Sequence, residues 1–204
     1  MDKNFSILLN TTPEQLLKLE QLQANFVEVC NAIAPVVQES RCWNRVALHH
    51  MVYHKLRAQF PSMGSQMICN AVYSVCRAAR VILQHPQSPF CIERNPNAAL
   101  PRILFLPSSP VYFDRHTLNI KGRTLSMFTL DGRIRFQIAL SEQQQQSFFE
   151  DKLKEVLLIK LQQQFYLRFH FEVDAQADTH LDMAIPDNLH VIPSVAPHVM
   201  QQAV

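Results

Sequence analysis

Glycine is nearly missing from this chain, at three in 204 residues. So few leave no Gly-rich phosphate loop, which excludes P-loop and dinucleotide-binding chemistry. No GxSxG nucleophile setting occurs, and no HExxH zinc motif. The five cysteines (Cys30, Cys42, Cys69, Cys76, Cys91) are odd in number and form no CxxC pair. They are expected as free, buried or half-buried thiols and not as a disulfide framework. No apolar run approaches the roughly 20 residues of a membrane span. The opening MDKNFSILLN has an acidic residue and too short an apolar stretch for a signal peptide. A cytoplasmic protein without membrane contact is expected. Lysine and arginine stop altogether at Arg168.

What is present is an ordinary globular balance, 48% hydrophobic and 18% charged, which excludes wholesale disorder. A chain of 204 residues suits one domain or two small ones with a sizeable core. The net charge of +2 conceals an uneven distribution. Residues 1–40 carry −3 and residues 136–204 carry −5, while residues 41–135 hold thirteen Lys/Arg against three Asp/Glu, or +10. Such asymmetry points to a middle segment that faces a polyanion. The competing expectation is that the acidic ends fold back and neutralise it.

A short apolar run, Phe5 to Leu9, reads as a strand. In TTPEQ, Thr12 is an N-cap, Pro13 the first helical residue, and Gln15 completes a capping box. Leu16, Leu19, Phe26, Val29 and Ile33 recur behind it at helical spacing, predicting a helix to about residue 34, kinked or ended by Pro35. A second helix is predicted over 44–59, stopped by Pro61, with Val46, Tyr53 and Leu56 as its apolar stripe. His50, His54 and Arg57 share another of its faces. A third spans about Ser65 to Leu83, burying Ile68, Val72, Val75, Ala79 and Ile82 and leaving Asn70, Arg77 and Arg80 off that stripe. The Pro/Ser/Asn-rich run 86–110 reads as loop.

From residue 111 the period becomes two. TLDGRIRFQI carries Asp131–Gly132, a strong hairpin signal. A two-residue loop there sets Thr129 against Ile134, Met127 against Phe136 and Leu125 against Ile138. The opposite face then holds Phe128, Arg133, Arg135 and Gln137, an aromatic among arginines that suits stacked bases and phosphates, or equally a solvated face. Lys121–Gly122 can turn a preceding hairpin that adds Leu118 and Ile120 to the apolar side. Residues 141–152 read as a helix capped by Ser141, and EVLLIKL is ambiguous between helix and strand. FYLRFHFEV is a strand, alternating Phe165, Leu167, Phe169, Phe171 with Tyr166, Arg168, His170, Glu172. The last thirty residues read as a loosely ordered acidic tail.

His50 and His54 stand at a zinc-compatible i, i+4 spacing, but no glutamate or cysteine completes a motif. A solvated or phosphate-facing helix surface is favoured over a metallohydrolase built on that pair. Asp174, Asp178, Asp182 and Asp187 read as solubilising charge and not as a metal cluster. No catalytic residue, metal or cofactor is expected.

Three stretches together carry a resemblance: WNRVALHHMVYHKLRAQFPSMGSQMICNAVYSVCRAAR, VYFDRHTLNIKGRTLSMFTLDGRIRFQIAL and EVLLIKLQQQFYLRFHFEV. In order and spacing they resemble the N-terminal half of OrfB/TnpB transposon-encoded proteins, RNA-guided nucleases related to type V CRISPR effectors. The similarity runs over residues 5–173, with Asp114-Arg115, Leu118, Leu125-Ser126 and Thr129-Leu130-Asp131-Gly132-Arg133 its most specific part. The resemblance implies an α+β fold: a small antiparallel, wedge-like β-barrel of residues 4–10 and 100–174. It also implies a three-helix recognition-like insertion after the first strand, over residues 11–86, followed by the tail over 175–204. It favours strand for EVLLIKL, in a hairpin through Gln162–Gln164. In that family this half grips guide RNA and heteroduplex by backbone and shape.

The family's nuclease half, with its catalytic Asp and zinc segment, has no counterpart. Only 31 residues follow Val173, against the ~150 of an ordinary domain, so Asp174 stands without partners and nuclease activity is not carried over. The expectation is a catalytically inactive, transposon-derived prokaryotic module that binds guide-like RNA or an RNA–DNA duplex. Its expected contacts are Arg45, His54, Lys55, Arg57, Arg77, Arg80, Arg115, Arg123, Arg133 and Arg135, with Phe128 as a stacking platform. The alternative is a protein-interaction module, either a degenerate relic or one subunit of a split effector whose nuclease lies on another chain.

Overall fold

Strand β1 (Phe5–Leu8) leads into α1 (Pro13–Ser40). The computed structural model describes residues 4–94, 96–172 and 185–194. Thr12 and Gln15 cap α1 reciprocally: the Gln15 N–H donates to Thr12 Oγ1 at 3.2 Å, and the Thr12 N–H donates to Gln15 Oε1 at 3.0 Å. Pro35 neither ends nor breaks this helix, which runs on to Ser40 and closes at Arg41 with φ of 52°. Packing explains the difference. Ile33, Ala34 and Val37 are buried, and the Asn31 side chain grips the Phe105 backbone, donating to its carbonyl at 3.0 Å and accepting from its N–H at 2.8 Å. Those contacts offset the roughly 3 kcal/mol cost of an interior proline.

Asn44 caps α2 (Arg45–Gln59), its Oδ1 accepting from the Val46 and Ala47 N–H groups at 3.0 and 3.1 Å. The buried line is Leu48, Val52 and Leu56, while Val46 is 66% exposed and Tyr53 only half-buried. At 3.6 residues per turn Val46 lies about 200° from Leu48, so the helix rests on one narrow row that shares only Leu56 with the predicted stripe. The third helix, α3 (Ser65–Leu83), buries Ile68, Val72, Val75, Ala79 and Ile82 as its period predicts. It buries Asn70 as well, whose Nδ2 donates to the Tyr112 carbonyl at 3.1 Å.

The strands that follow are β2 (Arg102–Phe105), β3 (Val111–Phe113), β4 (Leu118–Lys121), β5 (Thr124–Thr129) and β6 (Gly132–Gln137). Then come α4 (Glu142–Glu150), capped by Ser141, and β7 (Lys152–Leu161), β8 (Gln164–Glu172) and β9 (Leu189–Ile192). EVLLIKL is strand, turned into β8 by Gln162 and Gln163, both at positive φ. Two segments read as loop and loose tail each supply a strand, since β2 pairs antiparallel with β9. Residues 175–184 and 195–204 of the expected tail lie outside the described residues.

All pairings are antiparallel and give an α+β fold with sheets ordered β1-β8-β7-β3, β2-β9 and β4-β5-β6. Among the described residues no ladder links one sheet to the next. Packing links them instead, because one apolar cluster takes Phe26 and Ile33 from α1, Ile68 and Val72 from α3, Leu125 from β5, and Phe165 and Phe169 from β8. Phe5 of β1 joins this core with its ring 5.3 Å from Phe169 and 5.7 Å from Phe148 of α4. The five cysteines are free thiols.

Candidate nucleic-acid interface

The β4–β5–β6 sheet positions the largest group of predicted contacts, and its turns set their register. The loop between β5 and β6 is Leu130–Asp131, so Thr129 pairs Gly132, Met127 pairs Ile134 and Leu125 pairs Phe136. This is two residues away from the register that the Asp131–Gly132 signal predicts. A turn centred on that dipeptide needs positive φ at both residues; only Gly132 has it, at +105°. The Thr129 hydroxyl holds the bend by donating to the Gly132 carbonyl at 3.0 Å. A slip of two preserves the alternation of faces, so Leu125, Met127 and Phe136 are still buried. Leu118 and Ile120 join them through the β4–β5 pairing, whose turn at Gly122 has φ of 59°.

Outward from this sheet stand Lys121, Arg133, Arg135 and Gln137, with Phe128 37% exposed. Phe128 pairs Arg133 directly, and the guanidinium lies 4.1 Å from the ring centroid. It is held flat by donating to the Ser126 carbonyl at 3.3 Å and the His116 carbonyl at 2.9 Å. Phe128 is therefore not a bare platform. It is the lower layer of an arginine–aromatic stack. Arg115, just before β4, and Arg123, in the β4–β5 turn, are exposed on the same sheet's loops. None of Arg115, Lys121, Arg123 and Arg135 has an ion pair among the described residues. The neighbouring Asp114 carboxylate is occupied, accepting from Gln66 Nε2 at 2.6 Å, the His116 N–H at 3.0 Å and the Thr117 hydroxyl at 2.8 Å. It serves as the bracket of a side-chain-stabilised turn and ties the first turn of α3 to the residue before Arg115.

The helical candidates separate into two kinds. His54, Lys55 and Arg80 are exposed. Arg45, also exposed, has its guanidinium 5.3 Å from the Tyr73 ring centroid, a contact that offsets its unfavourable place at the positive end of α2. Arg57 and Arg77 are half-buried and have partners within the fold. Arg57 donates to the Met63 carbonyl and pins the α2–α3 turn. Arg77 Nη2 lies 3.3 Å from Glu155 Oε1, whose side chain is 5% exposed, and its Nη1 donates to the Tyr112 hydroxyl oxygen at 3.3 Å. Arg77, expected as a surface contact, is thus engaged inside the fold, where the buried Glu155 needs a cation, while its side chain stays 36% exposed.

Lys121 belongs to the sheet-face group although the sequence reasoning did not select it. Its signal was parity, since extending the β5–β6 alternation through the Lys121–Thr124 pair puts it outward. Around His49, burial holds the imidazole pKa below its usual value and the His50 charge adds to that. Among the described residues no group of three His, Cys, Asp or Glu side chains could hold a metal ion, and no helix is long and apolar enough to cross a membrane. No protein-family model matches the chain, and no curated protein matches it.

Proposed function

We propose that this protein binds RNA, single-stranded or paired with DNA, through the outward face of β4–β5–β6 and the exposed side of α2. The observation that carries this is the group Arg115, Lys121, Arg123 and Arg135, none of which has an ion pair among the described residues, on the sheet that holds the Arg133–Phe128 stack. Cations that track a backbone beside a planar stacking surface are what sequence-tolerant RNA binding requires. Among the described residues the ion pairs Glu14–Lys18, Glu20–Lys160 and Glu155–Arg77 use none of these four cations. The role is binding without catalysis. The order of elements supports a TnpB-like wedge with a helical insertion, because β1 pairs β8 across all three long helices. On this reading three packed sheets stand in for a ladder-closed barrel.

Fluorescence anisotropy with a labelled single-stranded RNA and an RNA–DNA duplex, over a range of salt, tests the proposal. One phosphate contact for each of Arg115, Lys121, Arg123, Arg133 and Arg135 predicts a log–log salt slope near −3.5 on single strands, at about −0.7 each. Absence of binding at low salt, or a flat slope, overturns it. A second reading, a protein-interaction module, is favoured by one observation. Phe149 is 89% exposed and, with Phe148 and Leu153, lines an apolar groove of about 530 Å3 between β4 and α4. Recovery of a nuclease-bearing partner from native cells that is lost with Phe149→Ser would support it.

A further inference from the structure

Between α3 and the adjoining face of β7 and β8 lies a cleft of about 440 Å3, within the roughly 300–1,000 Å3 typical of small-ligand sites. One cross-strand row lies along it. Tyr112 of β3 pairs Leu157 of β7, and Leu157 pairs Arg168 of β8. Directly opposed residues in adjacent ladders share a sheet face, with strands about 4.8 Å apart. Tyr112 and Arg168 therefore flank Leu157. Ala78 and Val81 of α3 line the other side, and Phe105 and Leu189 add apolar wall.

Most of the charged groups here already have partners. Arg77 is matched by Glu155, and Lys160 Nζ lies 2.8 Å from Glu20 Oε1. Arg168, half-buried, has neither ion pair nor hydrogen bond among the described residues. The Tyr112 hydroxyl accepts from Arg77, yet its own proton has no acceptor among them. Burial pushes the Tyr112 phenol pKa up, so this group remains a donor. A half-buried guanidinium against apolar walls carries a desolvation cost that a bound anion removes.

Charge selects the class of ligand. Among the described residues the cleft holds one cation without an ion pair, Arg168, with the carboxylate of Asp187 exposed in the same lining. A dianion would be repelled there, whereas a single carboxylate takes the Arg168 fork and the Tyr112 proton together. We propose that this cleft binds a small apolar carboxylic acid, the carboxylate held by Arg168 and Tyr112 and the apolar body lying on Leu157 beneath Ala78 and Val81.

Ligand-observed NMR and calorimetry with 3-phenylpropionate, on the full chain without RNA, provide the test. The expected result is saturable binding that weakens about tenfold or more for 3-phenylpropionamide, the scale of a lost charge-assisted pair. Arg168→Gln should weaken the acid equally, and Arg168→Lys less, since it keeps the charge and loses the fork. The amide comparison uses the unaltered protein, so it stands even if a variant fails to fold. No binding at millimolar probe, equal affinity for acid and amide, or full affinity in a folded Arg168→Gln variant each overturns the assignment. RNA takes no part in the assay, so its outcome is independent of the RNA-binding proposal.

Discussion

Arg133 lies over Phe128 across the β5–β6 ladder, guanidinium to ring centroid 4.1 Å, with the arginine also bonded to two backbone carbonyls. Charge and stacking are thereby fused in one unit. Phe128→Ala is expected to weaken RNA binding by about 1–3 kcal/mol, the worth of one stacked base, without changing the salt slope. Arg133→Gln should instead flatten the slope by about 0.7. Because the two side chains touch, their effects should be non-additive in a double-mutant cycle read by anisotropy.

Arg77 separates structure from binding. Arg77→Met leaves the Glu155 carboxylate buried beside Tyr73, whose hydroxyl is 3.4 Å from Glu155 Oε2. Loss of about 3 kcal/mol of stability is expected in urea melts, the lower end for breaking a buried pair because Arg77 is partly open to solvent. Arg77→Met/Glu155→Leu should recover most of it. The RNA salt slope of the double variant should match that of the unaltered protein.

Acid should destabilise the fold through two histidines. Burial lowers the pKa of His170, against an opposing pull from Glu155, and burial likewise lowers that of His49. The unfolded chain then binds more protons than the native one just below the ordinary histidine pKa of about 6.5, so stability is lost as pH falls through that value and below it. Melting temperatures compared at neutral and mildly acidic pH should show the drop, and His49→Gln/His170→Gln should reduce it.

Gly132 is the conformational hinge of the β5–β6 turn. A Cβ added there meets nothing within 4 Å, but φ is +105°. Gly132→Ala should therefore cost about 1–3 kcal/mol from backbone strain alone. A chevron analysis together with the equilibrium melt would show whether the turn forms before the folding barrier.

What the sequence makes legible follows from the range of the interaction. The capping boxes at Thr12 and Ser141, the core stripe of α3 and the alternation of β8 are local patterns, and each is present. The strand pair β2–β9 is not local. Its partners Phe105 and Leu189 are four-residue strands' ends flanked by proline-rich chain, and no periodicity marks either. Pro35 misleads for the same reason, since the contact that rescues its helix comes from Asn31 and Phe105. At the candidate interface, parity identifies the outward arginines of β6, while no sequence pattern announces that Glu155 will claim Arg77.

The pairing of Phe5 with Phe169 has a consequence for how the chain is made. The α2–α3 pair and the β4–β5–β6 hairpins rest largely on near neighbours and can consolidate as soon as they leave the ribosome. Strand β1 is made before all of them, yet its partner β8 is made after all of them. Until β8 arrives, β1 presents an unsatisfied edge, the exposure that makes late-closing sheets slow and prone to mispairing. Closure of that ladder is therefore expected late in folding, and a chaperone's most useful moment would fall in the interval before it.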